Sequence, residues 1–93
     1  MELNIIHDAD DLRFYAVVDE EEAELTYTFT DEEAMDLDYT FVPENHRNKG
    51  LADQLVKAAL DYARHQNIRV IPSCPVAEAY IKRHPGYNDI VCL

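Results

Sequence analysis

Glycine and proline are scarce in this chain of 93 residues, at two and four copies. That scarcity excludes a linker-rich or fibrous protein, which those residues would dominate. Cysteine is limited to Cys74 and Cys92, too few for a disulfide framework, and both are expected as free thiols in a reducing compartment. No Cys-x-x-Cys pair occurs, and His7, His46, His65 and His84 share no ligand-like spacing, so no metal site is expected. No run is apolar and long enough to cross a bilayer, which removes the membrane as a partner. The opening Met1-Glu2-Leu3-Asn4 does not lead from a basic segment into an apolar one. No signal peptide is therefore expected, and the cytoplasm is the expected location.

Basic residues are also few, and they are unevenly placed. The net charge is −11. Residues 1–45 carry 15 acids against Arg13 alone, whereas residues 46–93 carry four acids against seven lysines and arginines. An acidic chain repels phosphate backbones, so nucleic acid is excluded as a partner. The acids of the first half solvate strand faces and turns; an acidic rim would in addition attract a cationic amine. Hydrophobic residues make up 47% of the chain, enough for a folded core, and the length suits one domain over 1–93. A domain this short buries only a limited share of its surface.

The first half reads as strands. Leu3, Ile5 and His7 alternate with Glu2, Asn4 and Ile6, as in a half-buried edge strand. Phe14 to Val18 is aromatic and β-branched, and a charged hairpin turn over 19–22 follows. Leu25, Tyr27 and Phe29 share one face of a third strand, and Leu37, Tyr39 and Phe41 share one face of a fourth, which Pro43 ends. Short acidic turns between them predict an antiparallel meander. The period then changes. Leu51, Leu55, Val56, Ala59, Tyr62 and Ala63 fall at helical spacing over 51–66, with Asp53 and Lys57 as an i,i+4 pair and Asn67 as the stop. Ile68-Arg69-Val70-Ile71 reads as a short buried strand, and 76–84 as a second helix with Pro75 in its first turn. Residues 90–93 form a last strand or an ordered tail. Strand, helix and strand in succession make a βαβ crossover, so the strands ending at Val42 and Ile71 should be parallel neighbours. The fold class is α+β: an antiparallel meander continuing into one parallel pair, with two main helices.

Gly50 stands where the fourth strand's loop enters the amphipathic helix. A glycine there lets a ligand approach the backbone, and the free N–H groups of the helix start, its dipole, Arg47 and Lys49 favour an anion such as pyrophosphate. A plain strand-to-helix turn is the competing reading. There is no Walker lysine-serine ending and no G-x-G-x-x-G, so nucleoside triphosphates and dinucleotides are poor candidates.

Val42-Pro43-Glu44-Asn45-His46-Arg47-Asn48-Lys49-Gly50-Leu51-Ala52 resembles the R-x-x-G-x-[GA] signature of the GCN5-related N-acetyltransferases. With Ile71-Pro72-Ser73-Cys74-Pro75 and Tyr80-Ile81-Lys82-Arg83-His84-Pro85-Gly86-Tyr87 it is similar to the minimal, roughly hundred-residue branch of that superfamily. The resemblance implies that the parallel strands splay apart and that acetyl-coenzyme A lies between them. Main-chain groups near Phe41 and Val42 would then bond the pantetheine arm, and the segment Arg47, Asn48, Lys49, Gly50, Leu51 and Ala52 would hold the pyrophosphate. It implies acetyl transfer to a primary amine: a protein lysine, a chain N-terminus or a polyamine. The helices that cover the acceptor site in larger relatives are missing, so that site should be open. Cys74, ending the second splayed strand, becomes a candidate acyl relay, Tyr80 a candidate proton donor to the leaving thiolate, and His84 a candidate base. A monomer or weak dimer is expected. Two departures stand out. Asn48 replaces a usual glycine, making positive φ harder to reach, and Tyr39 replaces a frequent histidine. The rival functions are a coenzyme A-binding module without turnover and an acidic adaptor that pairs through its sheet edge.

Overall fold

The structure, a computed structural model, describes residues 3–92. Glu2 of the expected edge strand and Leu93 of the expected tail lie outside the described residues. Five strands form one sheet in the order β1-β2-β3-β4-β5: β1 (Ile6–Asp8), β2 (Arg13–Val18), β3 (Glu21–Phe29), β4 (Met35–Phe41) and β5 (Val70–Ile71). The first three pairings are antiparallel and the last is parallel. Helix α1 (Leu51–His65) makes the crossover, and α2 (Pro75–Arg83) follows β5. This is the α+β architecture expected.

Local chemistry accounts for the boundaries. Asp19 and Glu20, both at positive φ (50° and 69°), are the two residues between β2 and β3. Paired positive φ values are what a two-residue hairpin needs to match strand twist, so the turn is tighter than the four-residue one expected, and Glu21 and Glu22 belong to β3. Asn67 ends α1 in the left-handed conformation (φ 58°), while Ile68 N–H bonds back to the Ala63 carbonyl at 2.8 Å. Pro75 opens α2, where its missing N–H costs nothing. After α2, residues Pro85–Ile90 form a 3-10 helix, and Val91 bridges to Val70.

One face of the sheet is buried under α1, which packs on β2, β3 and β4, while α2 packs on α1. Leu25, Met35, Leu37, Leu51, Leu55, Leu60, Val56 and Val70 are fully enclosed there. His7 joins the edge of this core, stacked on Phe14 at 4.1 Å and edge-on to Tyr62 at 4.3 Å. The other face turns Val17 and the Glu22–Arg13–Glu24 cluster outward.

The alternation in β4 does not run as the sequence suggests. Leu37 is buried, but Tyr39 is 54% and Phe41 38% exposed. A β-bulge is the cause. Tyr27 pairs with Leu37 and Thr26 with Tyr39, leaving Asp38 as an extra residue. One added residue reverses every later side chain, so Thr40 faces inward and Tyr39 and Phe41 face out. Phe29, at the far end of β3, is likewise half exposed despite sharing the period of Leu25 and Tyr27.

Two consequences for stability can be measured. Leu60→Ala, which empties a fully enclosed site, should cost about 2–5 kcal/mol in urea denaturation. Asp61 gives a pH dependence. Partial burial pushes its pKa up, but hydrogen bonds from Lys57 and Tyr87, together with the Lys57 and Arg64 charges, outweigh this and hold it below the ordinary 3.8. A depressed carboxyl stabilises the fold above its unfolded pKa and loses that contribution as pH falls through the folded value. Asp61 is half exposed, so the contribution is below about 1 kcal/mol. Thermal unfolding should show Asp61→Asn slightly less stable than the parent at pH 7, with the difference vanishing toward pH 2.

Candidate functional site

The site begins with a short strand. β5 pairs with β4 only through Met35↔Val70 and Asp36↔Ile71. Beyond that, the Cys74 N–H reaches the Leu37 carbonyl at 2.8 Å, and the chain turns into α2. The rest of β4 therefore has no strand on that side. A cleft of about 440 Å³ opens there, lined by β4 and its continuation (Tyr39, Thr40, Phe41, Val42), by the segment entering α1, and by Val76 of α2. A larger depression of about 650 Å³ lies elsewhere, around Phe29, Glu32 and residues 66–69. It has neither a helix start nor a splayed strand, so the smaller cleft is the candidate site.

The segment entering α1 is shaped for an anion. Gly50 is the N-cap, at φ 76°, and no side chain caps the helix. A Cβ on Gly50 would meet no atom within 4 Å, so the space beside the backbone is open. Asn48 is also left-handed, at φ 67°. The replacement of glycine by asparagine thus does not deny the loop its positive φ, because asparagine's short polar side chain tolerates that region. The uncapped amides of the first turn and the helix dipole face the cleft end. These are the features a pyrophosphate requires, so the residues present fit such a group.

The two cations differ. Arg47 donates its Nε–H to the Val42 carbonyl at 3.1 Å, tying the loop to the end of β4 at the cleft rim. The Lys49 ammonium instead lies 3.4 Å from His46 Nδ1, and Lys49 does not line the cleft. His46 is 4% exposed and sits in the cleft wall. Its Nε2 lies 3.6 Å from Asp19 and 3.9 Å from Glu21, so the β2–β3 hairpin braces the loop from behind.

Of the sequence-derived site residues, Phe41, Val42, Arg47, Asn48, Gly50, Leu51 and Ala52 come together around the cleft. Cys74 stands just behind it. The residue is 5% exposed and is the N-cap of α2, and its Sγ lies 3.3 Å from Oγ1 of the cleft-lining Thr40. The sulfur thus sits at a helix start, with a hydroxyl as its polar neighbour. Tyr80 of α2 and His84, the residue that caps its C-terminus, stack on each other at 4.0 Å, and neither lines the cleft. Burial raises the Tyr80 pKa, and Lys57, Asp61, Asp53 and Arg83 supply the charges around it. His84 Nδ1 is 2.9 Å from the Tyr80 carbonyl, to which it can donate. Sequence reasoning missed Tyr39, Thr40, Asp53 and Val76 as cleft residues. It placed His46 in the loop, but the Asp19 beside it is a neighbour that only the fold supplies.

A meander, a parallel pair that parts after two residues and an uncapped helix start define an N-acetyltransferase type of fold. The family model for the GCN5-related N-acetyl-transferase matches residues 13–90. The NMR solution structure of a GCN5-like protein from Staphylococcus aureus, provisionally assigned as an N-acetyltransferase, superimposes with a TM-score of 0.75. The two share 30% identity, over 97% of this chain and 88% of that one. No curated protein matches. The chain belongs to the GCN5-related N-acetyltransferase family, whose members transfer acetyl groups. No helix among the described residues is long and apolar enough to cross a membrane.

Gly50→Glu tests the loop. The open space admits the side chain, and the left-handed backbone costs about 1–2 kcal/mol, so the protein should stay folded by circular dichroism. The carboxylate would occupy the anion position, and coenzyme A binding by calorimetry should vanish. Unchanged affinity would mean that the anion site lies elsewhere.

Proposed function

We propose that this protein transfers the acetyl group of acetyl-coenzyme A to a primary amine: an exposed lysine, a chain N-terminus or a polyamine. The observation that carries this reading is the junction of the left-handed Asn48 and Gly50 with an uncapped helix start, at one end of a cleft that Thr40 lines, with Cys74 directly behind Thr40. Acetyl-coenzyme A supplies a thioester, an acetyl group activated for attack. The amides of Gly50, Leu51 and Ala52 bind its pyrophosphate with Arg47 at the rim. The β4 backbone around Phe41, which has no strand partner on the cleft side, bonds the pantetheine amides as an added strand. Phe41 and Tyr39 shield that arm from water.

Cys74 is the acyl relay in this reading. Its sulfur attacks the thioester and takes the acetyl group as coenzyme A leaves as its thiolate; the neutral amine then attacks the acetyl-cysteine, forming the amide, returning the Cys74 sulfur and giving up a proton. Thr40 must turn aside to admit the acetyl group. Tyr80 and His84, packed beyond the cleft wall, keep α2 in place and make a proton exchange with solvent the simplest fate of the amine proton. The domain over 1–93 carries both functions, with the amine approaching from the uncovered side of the sheet. Burial of Cys74 favours one rival, a module that binds the donor without turnover. Release of free coenzyme A thiol with a panel of amines separates the two.

Cys74→Ser should retain coenzyme A affinity and lose at least about 100-fold in acetyl transfer, since a serine hydroxyl is a poor nucleophile at neutral pH without an adjacent base. The parent, mixed briefly with acetyl-coenzyme A alone, should gain one acetyl mass at Cys74. A serine variant with near-parental rate and no acetylated cysteine in the parent would establish direct attack by the amine.

A further inference from the structure

Asp53 sets a difficulty for the cleft that it lines. It lies in the first turn of α1, beside the segment that reads as the phosphate site. A carboxylate is stabilised at a helix start, but it competes there with any other anion. Left unpaired, it would repel incoming phosphates at short range. The neighbour expected from helical spacing does not neutralise it. Lys57 turns one step further along α1 and pairs with Asp61 at 2.8 Å. Arg83 meets Asp53 instead, from the last turn of α2, 30 residues on. Its two terminal nitrogens bind the two carboxylate oxygens, each at 3.0 Å. The same guanidinium is steadied by an Nε–H bond to the Ala79 carbonyl at 3.3 Å and lies 5.7 Å from the Tyr80 ring centre. Such a fork-to-fork pair fixes orientation as well as charge.

We propose that Arg83 is a positioning residue for the donor. It holds the Asp53 carboxylate in a two-pronged pair, cancels its charge and leaves the α1 amides to the phosphates. Arg83 acts through Asp53 and does not itself contact the donor. The inference rests on the acetyl-coenzyme A reading above. The pair sits at the rim, with side chains 55% and 37% exposed, so it adds little to folding. Its effect falls instead on any charge that enters beside it.

The test is a calorimetric cycle with coenzyme A on the parent, Arg83→Ala, Asp53→Asn and the double variant, at low and high salt. Arg83→Ala should weaken binding about five- to tenfold at low ionic strength, with the loss shrinking as salt screens it. Asp53→Asn should bind at least as tightly as the parent. The double variant should match Asp53→Asn to within about twofold, because without the carboxylate there is nothing for Arg83 to cancel. A residue that only supported the fold would lower affinity equally in both backgrounds. The proposal is overturned if Arg83→Ala binds like the parent, or if its loss persists undiminished in the Asp53→Asn background or at high salt. A parent that binds no coenzyme A overturns the functional reading itself and this proposal with it. A parent that binds, without rescue in the double variant, overturns this proposal alone.

Discussion

Everything at the cleft depends on where one strand pairing stops. β4 and β5 share two residue pairs, and the Cys74 N–H to the Leu37 carbonyl is the last backbone bond between the two segments. Had β5 continued, it would have filled the edge of β4 and closed the space. Because it turns into α2, the second half of β4 has no strand beside it on the cleft side, next to a helix start. Backbone groups left in that state call for a partner. In the function proposed here, an extended donor with amides at one end and phosphates at the other would supply both sets of bonds. The bulge at Asp38 adds to this by rotating Tyr39 and Phe41 out of the core and Thr40 into contact with Cys74.

The packing that holds this arrangement lies away from it. α1 buries Leu51, Leu55, Val56, Ala59, Leu60 and Ala63 against the sheet, which fixes the direction of its axis and so the aim of its first turn. His46, enclosed between Asp19, Glu21 and Lys49, braces the loop against the first hairpin. The acidic hairpin is thus more than a solvated turn. Asp19 and Glu21 lie against His46, and Glu22 pairs with Arg13.

Where local rules act alone, the sequence could be read directly. Asn67 stops α1, Pro75 opens α2, and Leu25 and Tyr27 face the core as their alternation requires. The left-handed entry to α1 at Gly50 was legible because glycine before an amphipathic helix is a local signal. Three features were not legible, for one shared reason. The bulge adds a residue without any mark in composition, so Leu37, Tyr39 and Phe41 looked like one face. His46 is buried with Asp19 and Glu21 of the first hairpin beside it, neighbours that the local sequence does not announce. Asp53 had a local partner in Lys57 and took a distant one in Arg83, while Lys57 turned to Asp61. In each case the partner lies across a strand pair or on another helix, where one-dimensional spacing carries no information.

The order of pairing along the chain has a consequence for how the molecule assembles. β1 to β4 pair as neighbours in sequence, through short turns, and close small loops. The β4–β5 pair joins Met35 to Val70 and Asp36 to Ile71, across all of α1, and is the one strand pairing among the described residues that is not a hairpin. Loop-closure entropy makes such a contact the costly one to form. The meander and α1 can organise through nearby contacts, but the cleft exists only once the distant strand has docked. The candidate site thus depends on the pairing with the highest closure entropy, and a ligand bound in the cleft would stabilise that pairing by mass action.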